Sequence, residues 1–301
     1  MFPLYWQQSR SSRIMNQASI FSVDVEDWFH ILDVASAPPL ASWHTLPSRV
    51  EKNFYRLLDL FSAHQARVTC FFLGWVGERL PQLVREAVAR GHEIASHGYA
   101  HRLVYQMTRQ EFFDDALRSR KLLEDISATP VSGYRSAGFS VTENTLWFFD
   151  ALAEAGYQYD SSVFPAARGH GGMENGCREP HRLVHSAGSI LEFPITVADL
   201  LGKSVCFFGG GYLRLFPYWL IRRKTRQVLA EGRPVVFYIH PREIDPAHPR
   251  LPMGAARRFK SYINLATTER KLNRILKDFP VTTFRDFLAV ERKWLEISHV
   301  H

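Results

Sequence analysis

The chain has 301 residues, 46% hydrophobic and 22% charged, with a formal net charge of +7. That is an ordinary globular composition, long enough to bury one large core, and no apolar run reaches the roughly eighteen residues a membrane-spanning helix needs. The positive balance suits an anionic polymer or surface, but no recognition motif accompanies it, so a nucleic-acid partner is not expected.

From the start, MFPLYWQQSRSSRIMNQ lacks the apolar core and cleavage site of a secretory signal. Either Met15 is the true start or residues 1–17 form a flexible extension. The patterning then predicts a strand at Ile20–Val25 and a helix over 48–64, with Val50, Phe54, Leu57, Leu58 and Phe61 on one face. A second strand, Val68–Leu73, is followed by a helix opened by Pro81 and closed at Gly91. His92–Ser96 reads as a short third strand, and Thr108-Arg109-Gln110-Glu111 fits a capping box for a helix reaching about Ile126.

Pro130–Phe139 reads as extended, 143–155 as a helix closed by Gly156, and Tyr157–Phe164 as strand. Residues 166–189, rich in Gly, His and Ser, read as a long loop. Ile190–Val197 is strand-like, Gly209-Gly210-Gly211 a flexible break, and Pro217 opens a basic helix ending near Gly232. Pro234–His240 is an apolar strand, and two more helices flank a short strand at 280–284. Strands alternating with amphipathic helices imply repeated β–α units and a mainly parallel sheet. The expected organisation is one barrel-type α/β domain over 18–288 with a C-terminal helical extension, and a tail at 289–301. Cys70, Cys177 and Cys206, an odd number without CxxC spacing, point to reduced thiols and a cytoplasmic setting.

Three carboxylates, Asp24, Glu26 and Asp27, close the first predicted strand. Carboxylates are poor strand formers, and crowding them costs repulsion unless a cation or a shared proton relieves it. The C-terminal ends of barrel strands are also where catalytic groups collect. His97 and His101, four apart after the third strand, can present two nitrogens to one metal from a helical turn. The spacing alone is weak, because His181 and His185 repeat it with no acidic partner. What carries weight is placement at a strand end facing carboxylates on another, a two-histidine-one-carboxylate site with positions left for water.

Arg135 at the next strand end could orient a carboxylate through a bidentate contact, or make an ordinary surface ion pair. Asp160 is a turn former by default and an acid–base partner only in company. His240 ends the apolar run Val235–Ile239, where partial burial and a nearby carboxylate would tune its pKa; the competing view is a structural histidine bonded to backbone. Arg222, Arg223, Lys224 and Arg226, beside Trp219, read as the solvated face of an amphipathic helix, or as a peripheral contact with anionic lipid or polymer.

The ordered set Asp24/Glu26/Asp27, His97-x-x-x-His101, Arg135, Asp160 and His240 resembles the NodB-homology polysaccharide deacetylases, carbohydrate esterase family 4. Within it, the chain is similar to the branch holding peptidoglycan deacetylases and allantoinase-like proteins. Glu192-Phe193-Pro194, Gly209–Arg214 and Phe237–Pro246 resemble the exopolysaccharide-locus deacetylases with an added C-terminal segment. The likeness runs over roughly 18–288. It implies a distorted (β/α) barrel binding a divalent metal such as Zn²⁺. By the same likeness Asp24 is the base, His97 and His101 are metal ligands, and Arg135 steers the base. Asp160 supports the acid and His240 is the acid. The family's usual adjacent aspartates are replaced by Asp24-Val25-Glu26-Asp27, so the metal carboxylate is Glu26 or Asp27. The proline usual after the arginine is also missing from Arg135-Ser136-Ala137-Gly138-Phe139.

The activity expected from the resemblance is removal of N-acetyl groups from the amino sugars of a polysaccharide or lipid-linked oligosaccharide. Hydrolysis of a small amide or ureide, and a silent glycan-binding role, are the rivals.

Overall fold

Seven consecutive buried residues, Ser-Ile-Phe-Ser-Val-Asp-Val, form strand β1 (Ser19–Val25), as befits a strand covered on both faces. In the computed structural model, which describes residues 19–166, 171–185, 188–290 and 295–298, β1 lies near one edge of a ten-stranded sheet. The other strands are β2 (Thr69–Phe72), β3 (Glu93–Ser96), β4 (Gly133–Tyr134), β5 (Tyr159–Asp160), β6 (His181–His185) and β7 (Gly188–Glu192), then, past a separate hairpin of β8 (Ala198–Leu200) and β9 (Lys203–Val205), β10 (Val235–Ile239), β11 (Val281–Thr282) and β12 (Leu295–Ser298). Their order is β10-β1-β2-β3-β4-β5-β7-β6-β12, with β11 pairing the first residues of β1. Among the described residues, only the β6–β7 pair is antiparallel within this sheet. The sheet curls into a distorted (β/α) half-barrel.

Alternation along β1 assigns its two faces. Phe21, Val23 and Val25 join a large apolar cluster with Phe54, Leu57 and Phe61 of helix α1 (Val50–Ala63). Ile20 points the other way, into a smaller cluster with Phe71, Tyr159, Phe193 and Val236. Phe284 and Phe287 of the C-terminal helix Phe284–Val290 complete that cluster, with Phe284 stacked 5.1 Å from Tyr159. By the same period of two, Ser22 and Asp24 share the face of Ile20. The inner face is therefore apolar at the N-terminal end of β1 and polar at its C-terminal end.

The helices follow the expected β–α rhythm, with differences that have physical causes. Between β2 and β3 lie two helices, α2 (Gly74–Arg79) and α3 (Pro81–Ala89), because Pro81 starts α3 and Leu80 between them leaves helical geometry. Helix α4 (Arg109–Ser127) opens with the expected capping box: Glu111 N–H donates to Thr108 Oγ1 at 3.2 Å, and Thr108 N–H to Glu111 Oε2 at 2.8 Å. The extended stretches expected at 130–139 and 157–164 pair over only two residues each, since Gly133↔Tyr159 and Tyr134↔Asp160 are their mutual contacts. After helix α5 (Trp147–Glu154), the stretch expected as a loop over 166–189 contains β6, whose residues pair with β7.

Gly209-Gly210-Gly211 is not a flexible break. Gly209 precedes helix α6 (Gly210–Leu215), and a Cβ there would sit 2.1 Å from ring carbons of Tyr238, so glycine is needed for close packing. Helix α7 (Tyr218–Ala230) follows Pro217 as expected. Helix α8 (Ala255–Tyr262) escaped the sequence reading, whereas α9 (Thr268–Asp278) and α10 (Phe284–Val290) flank β11 as expected. The C-terminal segment is no appendage, since β11 joins the sheet and α10 fills the curl. Residues 1–18 and most of the 289–301 tail fall outside the described residues.

Candidate active site

Asp24 and Arg135 meet on the polar end of the inner face. Arg135 Nη1 donates to Asp24 Oδ1 at 2.7 Å and to Ser22 Oγ at 2.7 Å. Its Nε reaches the Ser161 carbonyl at 3.2 Å and its Nη2 reaches Ser161 Oγ at 3.1 Å. The guanidinium is fully buried, with its Cζ 4.1 Å from the Phe71 ring centroid, so it is no surface ion pair. Such a clamp fixes one oxygen of Asp24 and leaves the other, which lies 3.8 Å from His240 Nε2, for chemistry.

Glu26, His97 and His101 converge beside it. Glu26 Oε1 lies 3.0 Å from Nε2 of both His97 and His101, and all three side chains are buried. The histidines do not share a helical turn, contrary to expectation. Gly98 has φ +73° and His101 φ +52°, so a left-handed loop swings the second imidazole back to the first. Asp115 of α4 holds that loop, accepting from the N–H of Tyr99 at 2.7 Å and of Ala100 at 3.3 Å.

The donor set fits a divalent cation. His97 Nδ1–H donates to the Arg135 carbonyl at 2.8 Å, which leaves a lone pair on Nε2 facing a carboxylate. Neither buried nitrogen of His101 has a hydrogen-bond partner, so its 3.0 Å approach to Glu26 is proximity without hydrogen-bond alignment. The candidate ligand atoms of the three residues lie within 4.8 Å of one another. Burial opposes charge on Glu26, but the fields of His101 and His240 and contacts with the His101 and His97 imidazoles hold its carboxyl well below the usual range.

Asp27 faces elsewhere, which corrects one of the two carboxylate alternatives. Its carboxylate accepts from Ser48 Oγ at 2.6 Å, Trp28 N–H at 2.8 Å, Arg49 N–H at 2.9 Å and Val50 N–H at 3.2 Å. The donors of Ser48, Arg49 and Val50 lie at the start of α1, which a carboxylate satisfies well. Asp27 anchors the helix that follows, and Glu26 meets the imidazoles.

Asp160 also differs from expectation. It does not support His240. Its oxygens accept from Ser162 Oγ at 2.6 Å and Ser162 N–H at 3.0 Å, and Ser162 Oγ in turn accepts the Ser136 N–H at 2.7 Å beside Arg135. Glu192 is its register partner across β5 and β7. Burial lifts the Asp160 carboxyl to about 6 and the Glu192 carboxyl well above the usual range. Asp160 thus braces the Arg135 loop.

The contact to His240 comes from Glu243, unforeseen in the sequence as a partner. His240 Nδ1 lies 3.4 Å from Glu243 Oε2, and His240 N–H donates to the same oxygen at 3.2 Å. A His-x-x-Glu spacing before a short helical turn is a capping signature that could have flagged it. Arg214 Nε donates to the other Glu243 oxygen at 3.0 Å, holding that carboxyl at about 2 against the cost of burial. Burial disfavours charge on His240, yet the charge of Glu26, the Glu243 contact and Asp24 together raise its pKa. His30 was also missed: its Nδ1 accepts the Asp27 N–H at 2.9 Å, and its buried Nε2 has no partner. Burial, then the field of His101, keeps the His30 imidazole neutral, so Nε2 carries a hydrogen.

Asp24, Glu26, His97, His101, His240 and Glu243 line a cavity of about 680 Å³. Phe139 and Tyr238 form one wall, and α6 and α8 bring Tyr212 and Phe259 to the other.

Residues 43–159 match the polysaccharide deacetylase family model, and residues 161–289 match a second one described as a domain of unknown function, DUF3473. A peptidoglycan deacetylase of Helicobacter pylori is 30% identical over 108 residues, 36% of this chain and 36% of that protein. A peptidoglycan-N-acetylglucosamine deacetylase of Bacillus cereus is 29% identical over 103 residues, 34% of this chain and 46% of that protein. The chain therefore spans less than half the length of these curated relatives. In three dimensions it is similar to PuuE allantoinase, with a TM-score of 0.60 at 18% identity over 91% of this chain and 89% of that one. A probable polysaccharide deacetylase of Pseudomonas aeruginosa PAO1 gives 0.58 at 18% identity, covering 91% and 90%. Residues 43–159 thus carry a polysaccharide deacetylase domain.

Proposed function

We propose that this polysaccharide deacetylase domain makes the chain a metal-dependent N-deacetylase of amino sugars in a polysaccharide or lipid-linked oligosaccharide. The observation that carries the reading is the juxtaposition of a Glu26/His97/His101 cluster with an arginine-clamped Asp24 and an acid-supported His240. The deacetylase relatives and the size of the cavity support it. A space of about 680 Å³ accommodates sugar units, and a small ureide would leave most of it unfilled.

Glu26, His97 and His101 would hold a divalent ion, with zinc the best match to two imidazoles and one carboxylate. Such an ion supplies Lewis acidity, activating water and polarising an acetyl carbonyl. Asp24 takes the proton of the attacking water through the oxygen Arg135 leaves free. Arg135 keeps that carboxylate oriented. His240, protonated with the help of Glu243, delivers a proton to the departing sugar nitrogen, without which an amine leaves poorly.

Among the described residues no helix is long and apolar enough to cross a membrane. We place the chain in the cytoplasm, with at most peripheral membrane contact, on the strength of its three free thiols, two of them buried. The deciding experiment measures acetate released from N-acetylglucosamine oligomers by the zinc-loaded chain, with allantoin hydrolysis run in parallel. Acetate release without ureide hydrolysis supports the proposal, and the reverse pattern rejects it.

A further inference from the structure

Most charges around the cavity are matched. Asp24 pairs with Arg135, Glu243 with Arg214, and Glu26 faces the imidazoles. Arg242 is not so matched. It lies two residues past His240, it lines the cavity, and its Nε is buried with no hydrogen-bond partner. No carboxylate among the described residues forms an ion pair with it; the nearest by charge, Glu243, is taken by Arg214 and His240. From α8, Lys260 lines the same cavity, as does Arg257, which spends one N–H on the Leu32 carbonyl at 2.8 Å. The three acidic residues lining the cavity are the three already engaged in the site.

A buried guanidinium N–H without an acceptor is costly, and its fork of donors suits a carboxylate or phosphate. We propose that Arg242, assisted by Lys260, forms an anion subsite beside the acetyl-reacting groups, so that the substrate is an acidic glycan. In that glycan the N-acetylated sugar neighbours a unit or linkage bearing a carboxylate or a phosphate. This deepens the deacetylase reading and relies on it for the position of the acetyl group. The anion subsite itself stands on Arg242 and its surroundings. The net charge of +7 would also draw such a polymer toward the chain.

The test compares three N-acetylglucosamine oligosaccharides of equal length on the zinc-loaded chain: neutral, alternating with glucuronic acid, and ending in a 1-phosphate. We expect kcat/KM for at least one anionic substrate to exceed that for the neutral one by about tenfold, as a charge-assisted contact allows. The preferred arm distinguishes carboxylate from phosphate. Arg242→Gln should bring the anionic-to-neutral ratio down by about tenfold, Arg242→Lys by less, and Lys260→Gln by about two- to threefold. Lys260 is exposed on α8, so its variant keeps the test available should Arg242→Gln fold poorly. Equal kcat/KM on all three substrates, or a ratio unmoved by these substitutions, overturns the anion subsite while leaving deacetylation established. Should no substrate release acetate, calorimetry with an acetyl-free glucuronic acid oligomer separates the two ideas. Binding that Arg242→Gln abolishes supports the subsite although the deacetylase reading fails, and absence of binding to the unmodified chain rejects the subsite as well.

Discussion

Arg214 and Glu243 form an ion pair at 3.0 Å with each side chain only 3% exposed, and that pair holds the carboxylate against His240. Because Arg214 also bonds the carbonyls of Ile263 and Lys260, it ties α6, the end of α8 and the candidate acid into one unit. Removing one member of a buried pair strands the other charge, whereas removing both spares that penalty. Arg214→Met should therefore cost about 3–5 kcal/mol of stability. Arg214→Met with Glu243→Leu should recover a substantial part of it without restoring turnover. Denaturant melts paired with acetate release check this, and a fully additive double variant would show that the pair has no such coupling.

The two adjacent carboxylates of the first motif should behave differently. Glu26→Gln or His101→Asn should abolish zinc retention. Asp27→Asn should keep the metal yet lower stability by about 1–2 kcal/mol, the size of a lost helix-start interaction. Elemental analysis with thermal melts reads both quantities, and metal loss from the Asp27 variant would contradict the geometry.

His240→Ala should lower kcat by about 10²–10⁴-fold while the metal stays bound, as expected of a general acid lying outside the ligand cluster. Near-normal turnover would remove His240 from the mechanism.

Far from the site, His92 predicts an acid sensitivity. Burial, and secondarily the charge of Arg90, pushes its imidazole from 6.5 to about 4. Its Nδ1 accepts the Val68 N–H at 3.2 Å, a bond that protonation would break. Because the folded value lies below the unfolded one, the unfolded chain binds the extra proton between those pH values. Stability is complete above about pH 6.5 and is lost as pH falls toward 4, by up to about 3 kcal/mol. His92→Gln, which retains an acceptor, should flatten the fall of Tm over that range. An unchanged slope would mean that other groups govern it.

Much of the scaffold could be read from local pattern. Val23, Phe71 and Val236 lie in apolar runs that could only be buried strands, and Thr108 with Glu111 announced the start of α4. The two-residue strands at Gly133 and Tyr159 were illegible in length, because pairing partners, not propensity, set where a short strand stops. The left-handed loop from Gly98 to His101 was likewise hidden, since His-x-x-x-His fits a helical turn equally well. Arg214 and Glu243 carried no local mark of their partnership, being 29 residues apart.

The sequence by itself determined the alternation of strands and helices, the apolar faces that hold them, and the clustering of ionisable residues at strand ends. Those follow from side-chain period and burial, which are properties of short stretches. Only the tertiary structure decided that Glu26 and not Asp27 turns inward, that Asp160 braces Arg135, and that Glu243 supports His240. Each of those choices depends on which donors and charges arrive from distant segments, and one carboxylate differs from its neighbour only through the company it keeps.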